Sequence, residues 1–284
     1  MAEPIEFYKM SGAGNDFILG DNRSGRWPSN DLPGLAARLC RRRLGIGADG
    51  LLLLENSPRA SFKVDIYNSD GSRARMCGNG ARCAARFAFL KVIAGKHMTM
   101  EFPAGVLEAE ILSGDDVQVT MPLRLEPPVP ASLDIRGKAI KGFRVHAGVP
   151  HFILFVREME AAPVSTLGPL IRSHPFFGEA GTNVDFLSLR ESGPTAIRTW
   201  ERGVEGETLA CGTGVTAAAW LLQERYGKRG PHRLLVRSGS VLEVGLPGAG
   251  NGSREVFLKG EARVVYRGIL SGGSIHSERE GGSP

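Results

Sequence analysis

The 284-residue sequence lacks long hydrophobic runs, since its longest uninterrupted aliphatic stretch is four leucines at 51–54. A membrane-spanning helix needs about 20 apolar residues, and no cationic, apolar leader precedes Phe7. Aromatic residues make up only 7% of the chain, and the net charge of +5 is scattered along it, unlike the basic stripe of a nucleic-acid-binding protein. The sequence predicts a soluble, cytoplasmic protein without a nucleic-acid or membrane partner.

Cysteine is also scarce, with one residue each at positions 40, 77, 83 and 211. There is no Cys-x-x-Cys pair and no His-x₃-His spacing, which argues against a zinc site. No metal is therefore expected. Without a secretion signal the cysteines are expected to be reduced rather than paired in disulfides.

An internal duplication is the most informative feature that is present. Residues 76–85, with the sequence MCGNGARCAA, resemble residues 210–219, ACGTGVTAAA, at a spacing of 134 residues. Nearly the same spacing relates Gly47 to Gly181, Ala13-Gly14 to Ala147-Gly148, and Gly105-Val106-Leu107-Glu108 to Ser240-Val241-Leu242-Glu243. Several features in one order at one spacing indicate two copies of one fold.

The length also predicts two domains, at about 150 residues each. We expect an α+β fold of two homologous domains, each a mostly antiparallel sheet around a central helix, with the active site in the cleft between them. The first domain would comprise 1–123 with 264–270 and carry Cys77, and the second would comprise 124–263 and carry Cys211. The Pro-rich segment 122–130 is interpreted as the connection, and the Gly/Ser-rich tail at 271–284 as disordered. Predicted strands are 62–67, 117–121, 152–156, 196–200 and 255–258, and predicted helices are 35–43, 80–91 and 214–226.

Cys77 and Cys211 each stand on a Cys-Gly-x-Gly turn just before a predicted helix. Unpaired N–H groups at a helix start bind anions, and the helix dipole lowers the pKa of a neighbouring thiol. If the two halves face each other, one thiolate could remove an α-proton while the opposite thiol returns a proton to the other face. This is the layout of a two-base racemase or epimerase. Cys40 and Cys83 have no counterpart in the other half, and both are expected to be structural.

The sequence resembles the diaminopimelate epimerases over about residues 9–268. The motifs that carry the resemblance are KMSGAGNDF at 9–17, NSDG at 68–71, CGNGARC at 77–83, Pro150-His151, Thr182-Asn183-Val184, Glu201-Arg202-Gly203 and ACGTG at 210–214. The resemblance implies interconversion of L,L- and meso-diaminopimelate for lysine and peptidoglycan synthesis, without pyridoxal phosphate, another cofactor or a metal. It also implies that Cys77 and Cys211 are the acid and base.

The resemblance assigns further residues to the substrate. The reacting carboxylate would be bound by Gly78, Asn79, Gly212 and Thr213, and the distal carboxylate by Arg202, with Asn15, Asn68 and Asn183 as neutral donors. Glu201 offers a carboxylate to an ammonium group and, with His151, would tune the thiol pKa values. Tyr266 matches an aromatic residue at the family's dimer contact, which implies a homodimer.

Two departures from the family pattern bear on the substrate rather than on the chemistry. Gly50 stands where many members carry Gln, and Val149 where many carry Asn. A racemase of another amino acid on the same fold is therefore an alternative. A dithiol redox protein and an amino-acid-binding module without chemistry are alternatives from other classes.

Phenazine-pathway isomerases share the fold but lack the cysteine pair, so Cys77 and Cys211 argue against that family. The Gly-x-Gly-x-x-Gly pattern at 45–50 follows a predicted helix, in the reverse of the order that a dinucleotide site requires.

Overall fold

The structure is a computed structural model that describes residues 4–28, 30–190, 192–248 and 255–270. It divides into two compact units, one from the described residues of Met1–Val117 and Ala262–Pro284, the other from those of Gln118–Glu261. The tail expected at 271–284 lies outside the described residues. No helix in the described part of the chain is long and apolar enough to cross a membrane.

The described residues form seventeen strands and four α-helices, which are numbered here in chain order. The strands are β1 Ile5–Gly12, β2 Asn15–Asp21, β3 Gly50–Glu55, β4 Phe62–Asn68, β5 His97–Phe102, β6 Gly105–Ile111, β7 Asp116–Met121, β8 Leu125–Ile135, β9 Lys138–Ala147, β10 Pro150–Phe155, β11 Asn183–Ser188, β12 Thr195–Glu201, β13 Gly206–Thr208, β14 His232–Leu235, β15 Val241–Gly245, β16 Val256–Glu261 and β17 Arg263–Leu270. The helices are α1 Leu32–Cys40, α2 Gly78–Leu90, α3 Val164–Arg172 and α4 Gly212–Tyr226.

In the first unit the central strand is β3, which is buried along nearly its whole length. It pairs in parallel with β2 and antiparallel with β4. Leu51 and Leu53 join the cluster that contains Leu35 of α1, whereas Leu52 extends toward the start of α2 at Gly80. The run of leucines therefore forms a strand whose two faces are covered by two helices, which explains its lack of alternation.

The second unit repeats this arrangement around β11, which is buried at every residue. It pairs in parallel with β10 and antiparallel with β12. Val184 and Phe186 pack in the cluster that contains Val164 and Ile171 of α3, whereas Asp185 extends toward the start of α4.

The order of strand pairing is the same in both units. The pairs β1–β2, β3–β4 and β5–β6 are antiparallel, and β2–β3 and β4–β5 are parallel. In the second unit β9–β10, β11–β12 and β14–β15 are antiparallel, and β10–β11 and β12–β14 are parallel. The predicted α+β duplication with mostly antiparallel sheets is confirmed.

Pairing registers show which side chains are equivalent between the units. Phe17 lies opposite Gly50 and Leu52 opposite Ile66, just as His151 lies opposite Asn183 and Asp185 opposite Thr199. The resulting equivalent pairs are Phe17 with His151, Gly50 with Asn183, Leu52 with Asp185 and Ile66 with Thr199.

All five predicted strands and the helices at 80–91 and 214–226 are confirmed within a few residues. The helix predicted at 35–43 begins earlier, at Leu32, because the Asp31 side chain caps it, and it ends at Cys40. The helix α3 was not predicted, since Pro169 interrupts its pattern.

The connection predicted at 122–130 is wrong for most of its length, because residues from Leu125 onward belong to β8. The prolines are tolerated in this strand because its pairing with β9 shifts register between Glu126 and Val129. Residues in a bulge are left unpaired, so Pro127 and Pro128 do not have to donate a backbone hydrogen bond to the neighbouring strand.

Candidate active site

The two predicted catalytic cysteines occupy the same structural position, the N-cap of a buried helix. Cys77 caps α2 and Cys211 caps α4, both with extended backbone angles. Their carbonyl groups accept the first helical N–H, from Ala81 at 2.8 Å and from Val215 at 3.0 Å. The sequence produces this geometry because glycines follow each cysteine and admit close approach at the turn. Gly78 and Asn79, like Gly212 and Thr213, therefore form the first turn, where backbone N–H groups lack intrahelical acceptors.

The environments of the two thiols differ. Cys77 is half-buried, and its Sγ accepts a long hydrogen bond from the Gly80 N–H at 3.5 Å. Cys211 is buried, and its Sγ lies 3.4 Å from the Thr213 hydroxyl.

A hydrogen-bond network supports the start of α2 in the first unit. The Arg82 guanidinium donates to the Asn79 side-chain oxygen at 2.8 Å, and the Asn79 amide donates to Asn15. Asn15 donates in turn to Asp49 at 3.2 Å, and Arg42 forms an ion pair with Asp49 at 3.0 Å. Two of the predicted binding residues, Asn15 and Asn79, are thus held together by one network. Asn68 lies at the exposed end of β4, where it donates to Ser72 at 2.9 Å.

A second network lies beneath the start of α4, and it is completely buried. His151 Nδ1 lies 2.7 Å from the Asp185 carboxylate, and the Thr199 hydroxyl donates to the other carboxylate oxygen at 2.7 Å. His151 Nε2 lies 3.5 Å from the Asn183 amide nitrogen. Since a carboxylate only accepts, this geometry fixes the His151 tautomer with its proton on Nδ1.

Asn183 also holds the segment that carries Glu201 and Arg202. Its side-chain oxygen accepts the Arg202 backbone N–H at 2.8 Å, and its amide donates to the Pro150 carbonyl at 3.2 Å. The Arg202 guanidinium makes a long contact of 3.4 Å with the Ala180 carbonyl. The main chain at Arg202 is therefore fixed by a buried side chain, while the guanidinium makes this long hydrogen bond and interacts with the charge of Glu205.

Two groups near α4 have shifted pKa values. Burial raises the pKa of the Cys211 thiol well above its usual value, and the negative charges of Glu201 and Asp185 raise it further. Burial also raises the pKa of Glu201 above its usual value. Cys211 is therefore protonated in the free protein at neutral pH.

The third helical residue is glycine in both units, but different atoms surround it. A Cβ added at Gly214 would lie 2.6 Å from an Asp185 carboxylate oxygen and 3.1 Å from the Thr199 hydroxyl. A Cβ added at Gly80 would lie 3.2 Å from a Leu52 methyl carbon and 3.5 Å from a methyl carbon of Ile66. Of these two glycines, Gly214 is the one that lies against a hydrogen-bonded carboxylate, which a side chain at that position would displace.

This difference predicts unequal effects of alanine at the two sites. Gly214→Ala should lower the free energy of unfolding by about 2 kcal/mol, because Asp185 must leave hydrogen bonds that it makes in a buried site. Gly80→Ala should stay within about 1 kcal/mol of wild type, since the gain in helix propensity offsets the displacement of a flexible leucine. Urea denaturation of both variants measures the difference, and equal losses would contradict the close contact at Gly214.

Sequence reasoning did not identify Asp185, Thr199, Asp49 or Arg82. A signal for Asp185 was present, because it is the one charged residue in the buried segment 183–188. Tyr266 lies on β17 with 43% of its surface exposed. No group of three or more His, Cys, Asp or Glu side chains among the described residues is arranged to hold a metal ion.

Comparison with known proteins identifies close relatives of the whole chain. The family model for diaminopimelate epimerase matches residues 7–122 and 143–265. The diaminopimelate epimerase of Aquifex aeolicus is 40% identical over 280 residues, which cover 94% of this chain and 98% of that protein. The diaminopimelate epimerase of Chlorobaculum tepidum is 42% identical over 266 residues, which cover 92% and 100%.

Solved structures with lower identity share the two-domain fold. A probable proline racemase from Agrobacterium radiobacter aligns with a TM-score of 0.68 at 18% identity, over 94% of this chain and 93% of that chain. A phenazine biosynthesis protein from Bacillus anthracis aligns with a TM-score of 0.68 at 12% identity, over 95% and 99%. These structures support the fold, and the sequence relatives define the family. The chain belongs to the diaminopimelate epimerase family.

Proposed function

We propose that this protein interconverts L,L- and meso-diaminopimelate by proton transfer at the α-carbon, as a step in lysine and peptidoglycan biosynthesis. The observation that carries the proposal is the pair of cysteines at equivalent helix N-caps of a duplicated fold. A single cysteine at a helix start would support many functions. Two at equivalent positions, in a chain of this family, support a reaction that needs one group on each face of a carbon atom.

The reacting carboxylate would bind at the two helix starts. The N–H groups of Gly78 and Asn79 in one unit, and of Gly212 and Thr213 in the other, belong to first turns that favour anions. A negative charge at a helix N-terminus is stabilised by about 0.3–1 kcal/mol at the surface, and by up to about 2 kcal/mol when it is partly buried. Binding the carboxylate at both helix starts would bring its α-carbon near both thiols.

The proton transfer then needs no cofactor. A thiolate takes the α-proton, so that the C–H bond breaks and an S–H bond forms. The opposite thiol gives its proton to the other face of the carbon, so that its S–H bond breaks and a new C–H bond forms. Each turnover exchanges the protonation states of the two cysteines. We propose that Cys211 is the acid of the resting enzyme, because burial and its acidic neighbours raise its pKa. Glu201 would tune this group through its charge, and His151 through its hydrogen bond to Asp185.

The distal end of the substrate would be recognised by polar groups. Arg202 would bind the distal carboxylate with two parallel hydrogen bonds, and its backbone is already fixed by Asn183. Asn15 and Asn68 would add neutral donors, and Glu201 would accept from an ammonium group.

The proposal is tested by incubating reduced protein, dialysed against a chelator and free of pyridoxal phosphate, with L,L-diaminopimelate. Chromatographic separation should show the meso isomer accumulating until the two forms equilibrate. A parallel panel of single amino acids tests the alternative raised by Gly50 and Val149. Turnover of only one of those amino acids would replace diaminopimelate as the substrate. Turnover of none, with diaminopimelate also unchanged, would contradict the epimerase function.

We also propose a homodimer in the cytoplasm. The support is an exposed group on β17 that consists of Val265, Tyr266 and Ile269, with 53%, 43% and 69% of their surfaces exposed. The Tyr266 ring packs edge-to-face on Phe7 at 6.1 Å, which holds it in a defined orientation for contact with a second copy.

A further inference from the structure

Three equivalent strand positions carry polar side chains beneath the start of α4 and apolar side chains beneath the start of α2. All the side chains concerned are buried. The substitutions between the equivalent positions are His151 for Phe17, Asp185 for Leu52, and Thr199 for Ile66. The duplication thus provides an internal comparison, because these three buried positions are apolar in one unit and form a carboxylate network in the other.

That comparison bears on the purpose of the network. Burying a carboxylate is costly unless it is fully paired, and apolar replacements of buried ionic groups are often neutral or stabilising. Leu52 and Ile66 show that apolar packing at these positions is compatible with this fold. A role in folding therefore does not explain why the second unit has Asp185 and Thr199.

Geometry connects Asp185 to the imidazole and to the turn that carries Cys211. One carboxylate oxygen lies 2.7 Å from His151 Nδ1 and the other accepts from Thr199 at 2.7 Å. The point where a Gly214 Cβ would lie is 2.6 Å from Asp185 Oδ1 and 3.4 Å from the Cys211 Cβ. The carboxylate is therefore close to the turn that carries Cys211, with no side chain at Gly214 between them.

We propose that Asp185 is a positioning residue for proton transfer by the cysteine pair, because it fixes the tautomer and orientation of His151 and places a buried negative charge close to the turn that carries Cys211. This inference rests on the proposed epimerase function. It adds a directional difference between the two halves, since the charge lies beside Cys211 and its counterpart beside Cys77 is Leu52.

The other charged groups around the thiol are also identifiable. Glu201 is the other acidic neighbour of Cys211, and the charge of Asp185 adds to the effect of burial in raising the pKa of Glu201. Arg198 and Arg237 line the small pocket next to Cys211. Arg198 is held by Glu207 at 2.6 Å, and Arg237 approaches the same carboxylate at 3.6 Å.

Asp185→Asn tests the proposal because it keeps the shape of the side chain and removes its charge. A negative charge favours the protonated thiol, so its removal lowers the pKa of Cys211. The acid then loses its proton at lower pH. The basic limb of the kcat/KM profile should move down by about one pH unit, and kcat should fall about 10²-fold. A basic limb at the wild-type pH would overturn the proposal.

Thr199→Val serves as the matched control. It removes one hydrogen bond to Asp185 but keeps the charge, so it should destabilise the protein and leave the basic limb at the wild-type pH. Thermal unfolding of both variants separates stability from titration. If the basic limb of the kcat/KM profile shifted equally in both variants, the shift would reflect a general loss of packing, and the proposal would be overturned.

A measurement on the unmodified protein covers the case in which Asp185→Asn does not fold. In nitrogen NMR of histidine-labelled protein, the His151 signals are those that are absent from the spectrum of the His151→Gln variant. These signals should show the proton on Nδ1. A proton on Nε2 alone would overturn the positioning role. If wild-type protein did not turn over diaminopimelate, the proposed function would fail instead, and the tautomer would still decide whether Asp185 fixes His151.

Discussion

Replacing Cys77 or Cys211 with serine is expected to reduce epimerisation by about 10²–10⁴-fold, the contribution of one positioned acid or base. Serine keeps the N-cap, because its hydroxyl is a favoured capping group, and it removes only the acidity and nucleophilicity of the thiol. Each variant should therefore fold as the wild type does. Turnover with diaminopimelate, measured at equal concentrations of folded protein, gives the result.

Cys40→Ala is the control for loss of a thiol. Cys40 is buried at the end of α1 in the hydrophobic cluster that contains Leu35 and Leu51, so its thiol has no part in the proposed proton transfer. This variant should keep wild-type turnover. Wild-type turnover in Cys77→Ser or Cys211→Ser would contradict the two-base assignment, and strong loss in Cys40→Ala would show that the assay responds to stability.

Replacing Arg202 with lysine is expected to lower kcat/KM for diaminopimelate by about 10–100-fold. Lysine keeps the positive charge but cannot form the two parallel hydrogen bonds of a guanidinium. A hydrogen bond to a charged group is worth about 1.5–3 kcal/mol, and each 1.4 kcal/mol is a factor of about ten. The Arg202 main chain is held by Asn183 at 2.8 Å, so the substitution should not disturb the backbone.

A substrate without the distal carboxylate provides the control for Arg202. L-Lysine has the same chain and distal amine as diaminopimelate, so its slow α-proton exchange in D₂O should be the same for wild type and Arg202→Lys. Equal losses for both compounds would indicate that Arg202 acts on the reacting carboxylate or on the fold, and not on the distal group.

Repetition in the sequence allowed much of the fold to be predicted. Segments such as 80–91 and 214–226 are rich in helix-forming residues and follow glycine turns, so both helices were found. The helix α3 and the strand β8 were not predicted, because proline is unfavourable inside helices and strands, and Pro169 and the prolines of 125–130 lie within them. In β8 the tertiary pairing with β9 overrides that propensity.

The candidate site was only partly predictable for a different reason. Cys77 and Cys211 could be singled out because they recur at one spacing. Asp185 is recognisable in the sequence only as a polar residue within an apolar segment. Its meaning depends on the strand register, which sets it opposite Thr199 and points it toward Gly214. Such contacts arise from packing between distant segments.

Asn15 and Asn79 show the same limit. The motifs that contain them suggested two separate donors to a substrate. The structure joins them by a hydrogen bond and connects them to Arg82 and Asp49. Their role as a preorganised pair follows from this network, because each amide orientation is fixed by its neighbour.

Proton NMR of early turnover of L,L-diaminopimelate in D₂O distinguishes proton transfer between two thiols from a reaction with a single base. With two thiols, newly formed meso isomer has deuterium at the inverted carbon, while the remaining L,L-substrate keeps its α-proton. The proton removed stays on one thiol, and the deuteron comes from the other. Retention of the original proton in the product, or exchange into the L,L-substrate before inversion, would indicate a single base and contradict the two-thiol mechanism.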